Sequence, residues 1–229
     1  MIVTIDGPAG AGKSSIARQL AQRLDFNFLD TGAMYRAITL GAIRKQIDFA
    51  DRATLITYAQ TITIEWQEHR ILLDGTDVSE EIRSPIVTDS IKYVAGINEI
   101  REVLSSQQRQ IAESQNIVTE GRDQGTDVFP HAACKIFLTA SPAERAKRRH
   151  KQLADIGRPI PLEQILETQN RRDAEDRERP HGALRPADDA VNINSDGLTL
   201  EEVVQIMLTT VQEKMALQQA PSSESFSKP

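Results

Sequence analysis

Short apolar runs alternate along the chain with longer stretches in which apolar residues recur at helical spacing. The first run, Ile2–Ile5, leads through a glycine-rich loop into a segment whose apolar residues share one helical face: Ile16, Ala17, Leu20, Ala21 and Leu24. Five apolar runs are candidate strands: Ile2–Ile5, Phe26–Leu29, Ile117–Thr119, Lys135–Leu138 and Ala190–Ile193. Because strands that alternate with helices favour a parallel sheet covered on both faces, the pattern predicts an α/β fold.

One stretch interrupts this alternation. Residues 62–78, ITIEWQEHRILLDGTDV, contain two β-rich runs joined by the polar Gln67-Glu68-His69, which predicts a hairpin. A helical segment is predicted from Pro85 to about Gln115. We therefore expect residues 37–116 to form an inserted substrate module, while residues 1–36 and 117–217 form the core.

Composition narrows the class of protein. The chain has 229 residues, of which 39% are hydrophobic and 26% charged, as is typical of a globular protein. The net charge of -6 argues against a general nucleic-acid-binding surface. The sequence shows no apolar run long enough to span a membrane and no signal-peptide pattern at its start. We therefore expect a cytoplasmic protein that binds neither membranes nor nucleic acid, and a monomer, since nothing marks an interface.

Two further features are structural. The single cysteine, Cys134, precedes the strand-like KIFL and is predicted to be a small buried hydrophobic residue. The polar last dozen residues, 218–229, predict a disordered tail.

The loop after the first strand carries the clearest chemistry. Gly7-Pro-Ala-Gly-Ala-Gly-Lys13-Ser14 matches G-x-x-x-x-G-K-[ST] between a predicted strand and a predicted helix. Glycines let backbone N–H groups approach phosphate oxygens, the lysine reaches the β- and γ-phosphates, and the hydroxyl that follows is a ligand of Mg²⁺. This spacing in this context predicts a nucleotide-phosphate-binding loop.

Phosphate binding leaves three classes of protein open. Regulatory GTPases that read guanine normally carry N-K-x-D, which is absent from this sequence. A nucleotide-gated binding or assembly module has no specific support. A small-molecule kinase needs a second site rich in arginine, because guanidinium groups match phosphate oxygens in pairs.

Arginines and carboxylates do stand at the ends of predicted elements. They occur in DTGAMYR (30–36), in EGRDQGT (120–126) and in RDAEDRER (172–179). Each group alone is more typical of residues that cap a helix. Because parallel strands end at one edge of a sheet, the first two groups and the phosphate loop together predict an arginine-lined pocket. The charged segment 145–185 is compatible with a solvated helix face or with a mobile lid.

These motifs together resemble the bacterial-type cytidylate kinases, a family of nucleoside monophosphate kinases. The resemblance covers residues 1–217 and rests on TIDGPAGAGKS, FLDTGAMYR, LDGTDVSEEIR, EGRDQGTDVFP, KIFL, ERAKRR, the RDxxDxxR pattern and INSDGLTLEEV. LDGTDVSEEIR discriminates best, because it lies in the module that most nucleoside monophosphate kinases lack. The resemblance implies a P-loop NTPase fold with a five-stranded parallel sheet, an inserted nucleotide-binding module and an arginine-rich lid at about 145–185.

The resemblance also implies roles for individual residues. ATP would be bound by Gly7, Pro8, Ala9, Gly10, Ala11, Gly12, Lys13, Ser14 and Ser15, with Arg148 facing it from the lid. The residues that would act in phosphoryl transfer are Lys13, Arg122, Arg172 and Arg179. The acceptor nucleotide would contact Thr31, Arg36, Lys92, Arg101, Arg122, Asp123, Arg172, Asp176 and Arg179. Ser14 would hold Mg²⁺, with Glu120 acting through a water.

Arg101 and Asp123 match the pair that reads the base. A carboxylate suits the exocyclic amine of cytosine, and an arginine suits its N3 and O2. Uracil reverses two of those groups, and each unpaired buried group costs about 1–3 kcal/mol.

Three positions depart from the family pattern. Lys92 stands where a serine is common near the ribose, which leaves the choice between CMP and dCMP open. Glu175 stands where a lid arginine is common, so one contact to the transferred phosphoryl group would be missing or would be supplied by Arg171 or Arg177. Glu120 replaces an aspartate. The expected reaction is phosphoryl transfer from ATP to CMP or dCMP; the alternatives are a P-loop kinase for UMP, AMP or shikimate, and a regulatory P-loop NTPase.

Overall fold

The computed structural model describes residues 1–67, 70–155 and 157–219. Eight α-helices lie within these ranges: α1 (Lys13–Leu24), α2 (Thr31–Arg44), α3 (Arg52–Thr61), α4 (Pro85–Ala95), α5 (Asn98–Ala112), α6 (Pro142–Asp155), α7 (Leu162–Glu178) and α8 (Leu200–Gln219). Two short helices accompany them, a 3₁₀ helix at Glu81–Arg83 and a π-helix at Gln124–Val128. Eight strands lie there too: β1 (Ile2–Asp6), β2 (Asn27–Asp30), β3 (Ile64–Gln67), β4 (Arg70–Leu73), β5 (Thr76–Asp77), β6 (Ile117–Gly121), β7 (Cys134–Thr139) and β8 (Val191–Asn194). Across the described ranges, no helix combines the length and the apolar character that a membrane span requires.

The main sheet has five parallel strands in the order β2-β6-β1-β7-β8. The predicted α/β fold with a five-stranded parallel sheet is confirmed, and each of the five predicted strands is present with its bounds shifted by one or two residues. β1 lies at the centre, paired with β6 on one side and β7 on the other. The phosphate loop therefore leaves the middle of the sheet at its carboxyl edge, where open α/β folds bind ligands.

Two apolar layers cover the sheet. On one face, Val3 and Ile5 of β1 pack with Leu20 of α1 and Met207 of α8. On the other face, strand residues such as Leu29 and Ile117 pack with helices α2 and α5 and with the inserted module. Cys134 is 1% exposed within the first layer, as its apolar surroundings predicted.

The inserted segment contains more structure than its pattern indicated. The predicted hairpin is present as β3 and β4, and β5 adds a third strand, so that the three form an antiparallel sheet. Glu68 and His69, which the hairpin prediction included, lie outside the described residues. The helical segment predicted from Pro85 to Gln115 is broken into α4 and α5 at Gly96 and Ile97. Helix α2 continues across position 36, so the expected boundary between core and module falls within a helix.

The charged segment 145–185 begins within α6, includes α7 and extends beyond its end. These helices pack against each other around a small apolar cluster of Ala146, Leu153 and Ile165. Of the tail predicted to begin at residue 218, the first two residues belong to α8, and residues 220–229 lie outside the described residues.

Candidate active site

The phosphate loop is shaped by a backbone that only glycine fits at its first position. Gly7 has a φ of 150°, and a β-carbon there would overlap the carbonyl oxygen of Leu138 in the neighbouring strand β7. The loop ends at Gly12, after which α1 begins at Lys13. The N-terminus of α1 therefore points its free N–H groups into the loop, which is the arrangement that binds phosphate oxygens.

Lys13 is buried, and its Nζ donates to the carbonyl of Pro8 at 2.8 Å, across the loop. Burial, followed by repulsion from Arg122, lowers the pKa of Lys13 to about 7. The next residue, Ser14, donates its hydroxyl to Oε1 of Glu120 at 2.7 Å. At the ends of β1 and β6, the Ser14 hydroxyl thus contacts the Glu120 carboxylate, whose charge acts on Lys13.

Asp6 was missed in the sequence analysis, although it ends an apolar strand directly before the loop. Its two oxygens accept hydrogen bonds from the backbone N–H groups of Gln124, at 2.9 Å, and Gly125, at 2.7 Å. Burial raises the pKa of Asp6 to about 7. The carboxyl group ties the loop that follows β6, including Arg122 and Asp123, to the start of the phosphate loop.

The second group of predicted residues begins at the end of β2. Asp30 caps α2 by accepting from the N–H of Ala33 at 3.0 Å, and burial raises the pKa of Asp30 to about 6. Thr31 is buried and donates its hydroxyl to the backbone carbonyl of Glu120 at 2.7 Å. One turn later, Arg36 reaches across to α4 and donates to Oγ1 of Thr88 at 2.8 Å. Helix α2 therefore joins the sheet edge to the inserted module.

Arg36 belongs to a group of arginines in one cleft. Burial, with repulsion from Arg83 among other charges, lowers the pKa of Arg36. Partial desolvation and repulsion from Arg122 lower the pKa of Arg172, which forms no hydrogen bond or ion pair with any residue in the described part of the chain. Arg83 was quoted only as the last residue of LDGTDVSEEIR and was given no role. Mutual repulsion among these groups is the signature of a site prepared for anions.

Asp176 organises two arginines of this cleft. Its Oδ2 accepts from Nε of Arg122 at 2.9 Å, and its Oδ1 lies 2.6 Å from Arg179. Burial opposes ionisation of this carboxyl, but Arg122 and Arg179 together hold its pKa below the ordinary value. Asp176 therefore orients the two guanidinium groups on which the sequence analysis relied.

The predicted base-reading residues form a buried ion pair. Arg101, on α5, donates to Oδ2 of Asp123, and each residue is 8% exposed. The guanidinium also lies 5.8 Å from the centre of the Tyr35 ring. Burial alone would lower the pKa of Arg101, but Tyr35 and Asp123 raise it above the ordinary value.

Lys92 lies on α4, where its Nζ is 5.0 Å from the centre of the Tyr93 ring. It is exposed, one helical turn beyond Thr88, the partner of Arg36. The structure thus puts Lys92 near the cleft but in contact with Tyr93 rather than with another site residue. Glu175 is exposed on α7, as are its expected substitutes Arg171 and Arg177.

Two arginines of α6 have contrasting surroundings. Arg148, expected to face ATP, pairs with Glu144 at 3.1 Å and donates to the carbonyl of Ser195 at 2.8 Å. Arg145, quoted only as part of ERAKRR, is fully buried. It donates to the carbonyl of Ala9 in the phosphate loop at 2.8 Å and pairs with Asp173 of α7 at 2.6 Å. Nothing in the motif ERAKRR distinguishes the arginine that turns inward from the one that does not.

The arrangement can hold a polyphosphate and a second anion on the two sides of Lys13. Three elements contribute cations: Lys13 comes from the loop, Arg122 from the segment after β6, and Arg172 from α7. The charges of these side chains act on one another. The Ser14 hydroxyl donates to the Glu120 carboxylate, but the spacing of the loop assigns this hydroxyl to a metal ion, so the geometry suits transfer between two bound molecules. The described residues contain no cluster of three or more histidine, cysteine or acidic side chains that would hold a metal alone.

Comparison with known proteins agrees with this geometry. The family model described as cytidylate kinase matches residues 3–213. The cytidylate kinase of Rhodopirellula baltica is 55% identical over 225 residues, which cover 98% of each chain. That of Desulforamulus reducens is 47% identical over 214 residues, which cover 92% of this chain and 96% of the relative.

Solved structures support the fold alone. The shikimate kinase from Bacteroides thetaiotaomicron superposes with a TM-score of 0.50 at 15% identity, covering 93% of this chain and 98% of that one. The match to the family model and the two relatives extends through the phosphate loop, the inserted module and the arginine-bearing helices. The chain therefore belongs to the cytidylate kinase family.

Proposed function

We propose that this protein transfers the γ-phosphoryl group of ATP to the phosphate of CMP or dCMP, giving ADP and CDP or dCDP. The observation that carries the proposal is the buried Arg101–Asp123 pair beside an arginine cleft, next to a phosphate loop. The pair matches the hydrogen-bonding edge of cytosine, and the arginines match a monophosphate.

In this proposal, a phosphate oxygen of CMP attacks the γ-phosphorus of ATP while the bond to the β-phosphate oxygen breaks. The chain supplies no nucleophile. Lys13 and the loop N–H groups hold the β- and γ-phosphates, and Arg122, Arg172 and Arg179 neutralise charge on the transferred group and the acceptor. Closure of α6 and α7 over the nucleotides would exclude water, which limits hydrolysis of ATP.

Mg²⁺ is the metal that we propose for the reaction. The Ser14 hydroxyl and the Glu120 carboxylate, 2.7 Å apart, are hard oxygen donors of the kind that Mg²⁺ binds together with waters and substrate phosphates. Ser14 would hold the ion, and Glu120 would orient one of its waters. When bound, the ion would neutralise charge on the β- and γ-phosphate oxygens.

Three further parts of the proposal concern the oligomeric state, the location and the binding of nucleic acid. We propose that the enzyme acts as a monomer in the cytoplasm on free nucleotides, and that it binds no nucleic acid. Its net charge of -6 supports the last point. Size-exclusion chromatography with light scattering tests the oligomeric state, since a mass of twice 25.5 kDa would contradict it.

The deciding experiment is a coupled assay of ADP release with CMP, dCMP, UMP, AMP and shikimate as acceptors. We expect turnover with CMP or dCMP to exceed turnover with the others, and ADP release to need an acceptor. Lys13→Ala removes the cation that holds the β- and γ-phosphates and should nearly abolish transfer. Lys151→Ala, at an exposed lysine of α6, is the matched control and should leave turnover unchanged. Release of ADP at the same rate without an acceptor would instead support an NTPase.

A further inference from the structure

The loop that follows α7 touches the base-reading pair through a glycine. Gly182 has a φ of 67°, in the left-handed region. A β-carbon at this position would lie 2.5 Å from Cζ of Arg101 and 2.5 Å from Oδ2 of Asp123, and closer still to the terminal nitrogen that joins them. The bare α-carbon of Gly182 is therefore packed directly against the pair.

The loop is held in this place from both sides. The N–H of Gly182 donates to Oδ2 of Asp127 at 2.8 Å, and the N–H of Leu184 donates to the carbonyl of Asp176 at 2.8 Å. Leu184 is itself buried, with 5% of its surface exposed. The backbone from Gly182 to Leu184 therefore cannot move away from the pair without breaking one of these contacts.

The pair has equally little freedom to move. Arg101 and Asp123 are both buried, and the guanidinium also lies over the Tyr35 ring and donates to the carbonyl of Ala95 at 3.4 Å. A methyl group at residue 182 would therefore have to turn the guanidinium or the carboxylate away from its present direction. Reading a base by hydrogen bonds depends on such directions, because a donor that is misaligned leaves its partner unpaired.

We propose that Gly182 is a positioning residue that fixes the orientation of the Arg101–Asp123 pair, and through the pair the preference for cytosine over uracil. This inference rests on the proposed function, since it concerns how the pair reads the acceptor base. Gly182 makes no contact with ATP in this assignment. Its replacement should therefore affect the acceptor and leave the donor site unchanged.

The test compares Gly182→Ala with Gly75→Ala. Gly75 is a matched control, because its φ of 75° is similar and a β-carbon there would meet no atom within 4 Å. We expect Gly182→Ala to raise KM for CMP by about tenfold or more and to lower the ratio of kcat/KM for CMP to that for UMP by a similar factor. We expect KM for ATP to stay within about twofold of wild type for both variants.

A second pair of variants tests the same loop without adding a methyl group. Asp127→Ala removes the acceptor of the Gly182 N–H and should weaken cytosine preference in the same direction, whereas Asp127→Asn retains an oxygen acceptor and should keep most of it. Asp127 is exposed, so both variants should fold. They therefore test the inference even if Gly182→Ala does not fold.

The inference is overturned if Gly182→Ala and Gly75→Ala have the same KM for CMP and the same preference, or if the two Asp127 variants behave alike. It is also overturned if the KM for ATP rises as much as that for CMP. These outcomes are distinct from failure of the proposed function, in which the wild-type protein itself would not prefer CMP or dCMP as acceptor.

Discussion

The buried pair of Arg145 and Asp173 gives a quantitative test of how the lid helices support the phosphate loop. The Arg145 side chain is 2% exposed and that of Asp173 is 3% exposed, with 2.6 Å between their charged atoms. Arg145→Ala would leave Asp173 buried without a cation, and the other oxygen of Asp173 already has no hydrogen-bond partner among the described residues. Removing one member of a buried pair costs about 3–5 kcal/mol.

That cost corresponds to a lowering of Tm by about 6–20 °C, because 1 kcal/mol shifts Tm by about 2–4 °C in a chain of this size. The matched control is Arg44→Ala, which breaks the pair with Glu81, where the side chains are 39% and 56% exposed. Such an exposed pair contributes at most about 1 kcal/mol, so its loss should lower Tm by less than about 4 °C.

Arg145→Ala should also affect the binding of ATP. Arg145 donates to the carbonyl of Ala9 at 2.8 Å, so its loss frees one side of the phosphate loop. We therefore expect KM for ATP to rise in Arg145→Ala, measured below its lowered Tm, and to remain unchanged in Arg44→Ala. Thermal unfolding followed by circular dichroism and steady-state kinetics are the two measurements. The reasoning is refuted if both variants melt within a few degrees of each other and have the same KM for ATP.

Three further predictions concern substrate recognition and protonation. Asp123→Ala should raise KM for CMP far more than KM for ATP, because the carboxylate is expected to bind the cytosine amine; equal effects on both would remove Asp123 from the base pocket. Wild type should use CMP and dCMP with efficiencies within about tenfold, since the Lys92 ammonium can donate to a 2′-hydroxyl but not accept from it, and an unchanged ratio in Lys92→Ser would show that Lys92 does not contact the sugar. At about pH 8, ATP binding should take up a proton, because the bound phosphates would offset the burial and the repulsion from Arg122 that lower the pKa of Lys13. Calorimetry in buffers of different ionisation enthalpy measures this uptake, and its persistence in Lys13→Ala would contradict the assignment.

Local pattern was sufficient to predict the main sheet. Each of its strands is an apolar run bounded by turn residues, and the phosphate loop has a fixed spacing. The third strand of the module was missed because Thr76–Asp77 is only two residues long and polar. The break between α4 and α5 was missed because Gly96 and Ile97 interrupt a segment whose helical spacing continues on both sides.

In the candidate site, local pattern likewise identifies some residues but not their contacts. Residues in motifs at strand ends, such as Lys13 and Asp123, could be named from the sequence. The partner that each side chain takes could not, because it depends on elements far apart in the chain. Arg145 and Arg148 lie one turn apart in the same charged helix, yet one is buried against the phosphate loop and the other lies partly exposed beside Ser195. Gly182 carries no local signal at all, since its constraint is set by Arg101 and Asp123.

The position of β1 at the centre of the sheet has a consequence for how the protein is made. β1 is synthesised more than a hundred residues before β6, yet its residues pair with β6 from Ile117 onward on one side and with β7 from Cys134 onward on the other. On the ribosome, its apolar residues therefore remain without their neighbours until the chain has been extended through Thr139. The inserted module, whose strands β3, β4 and β5 pair only with one another, can form before that point. Chaperones that bind exposed apolar segments would consequently meet β1 while the residues between it and β7 are translated.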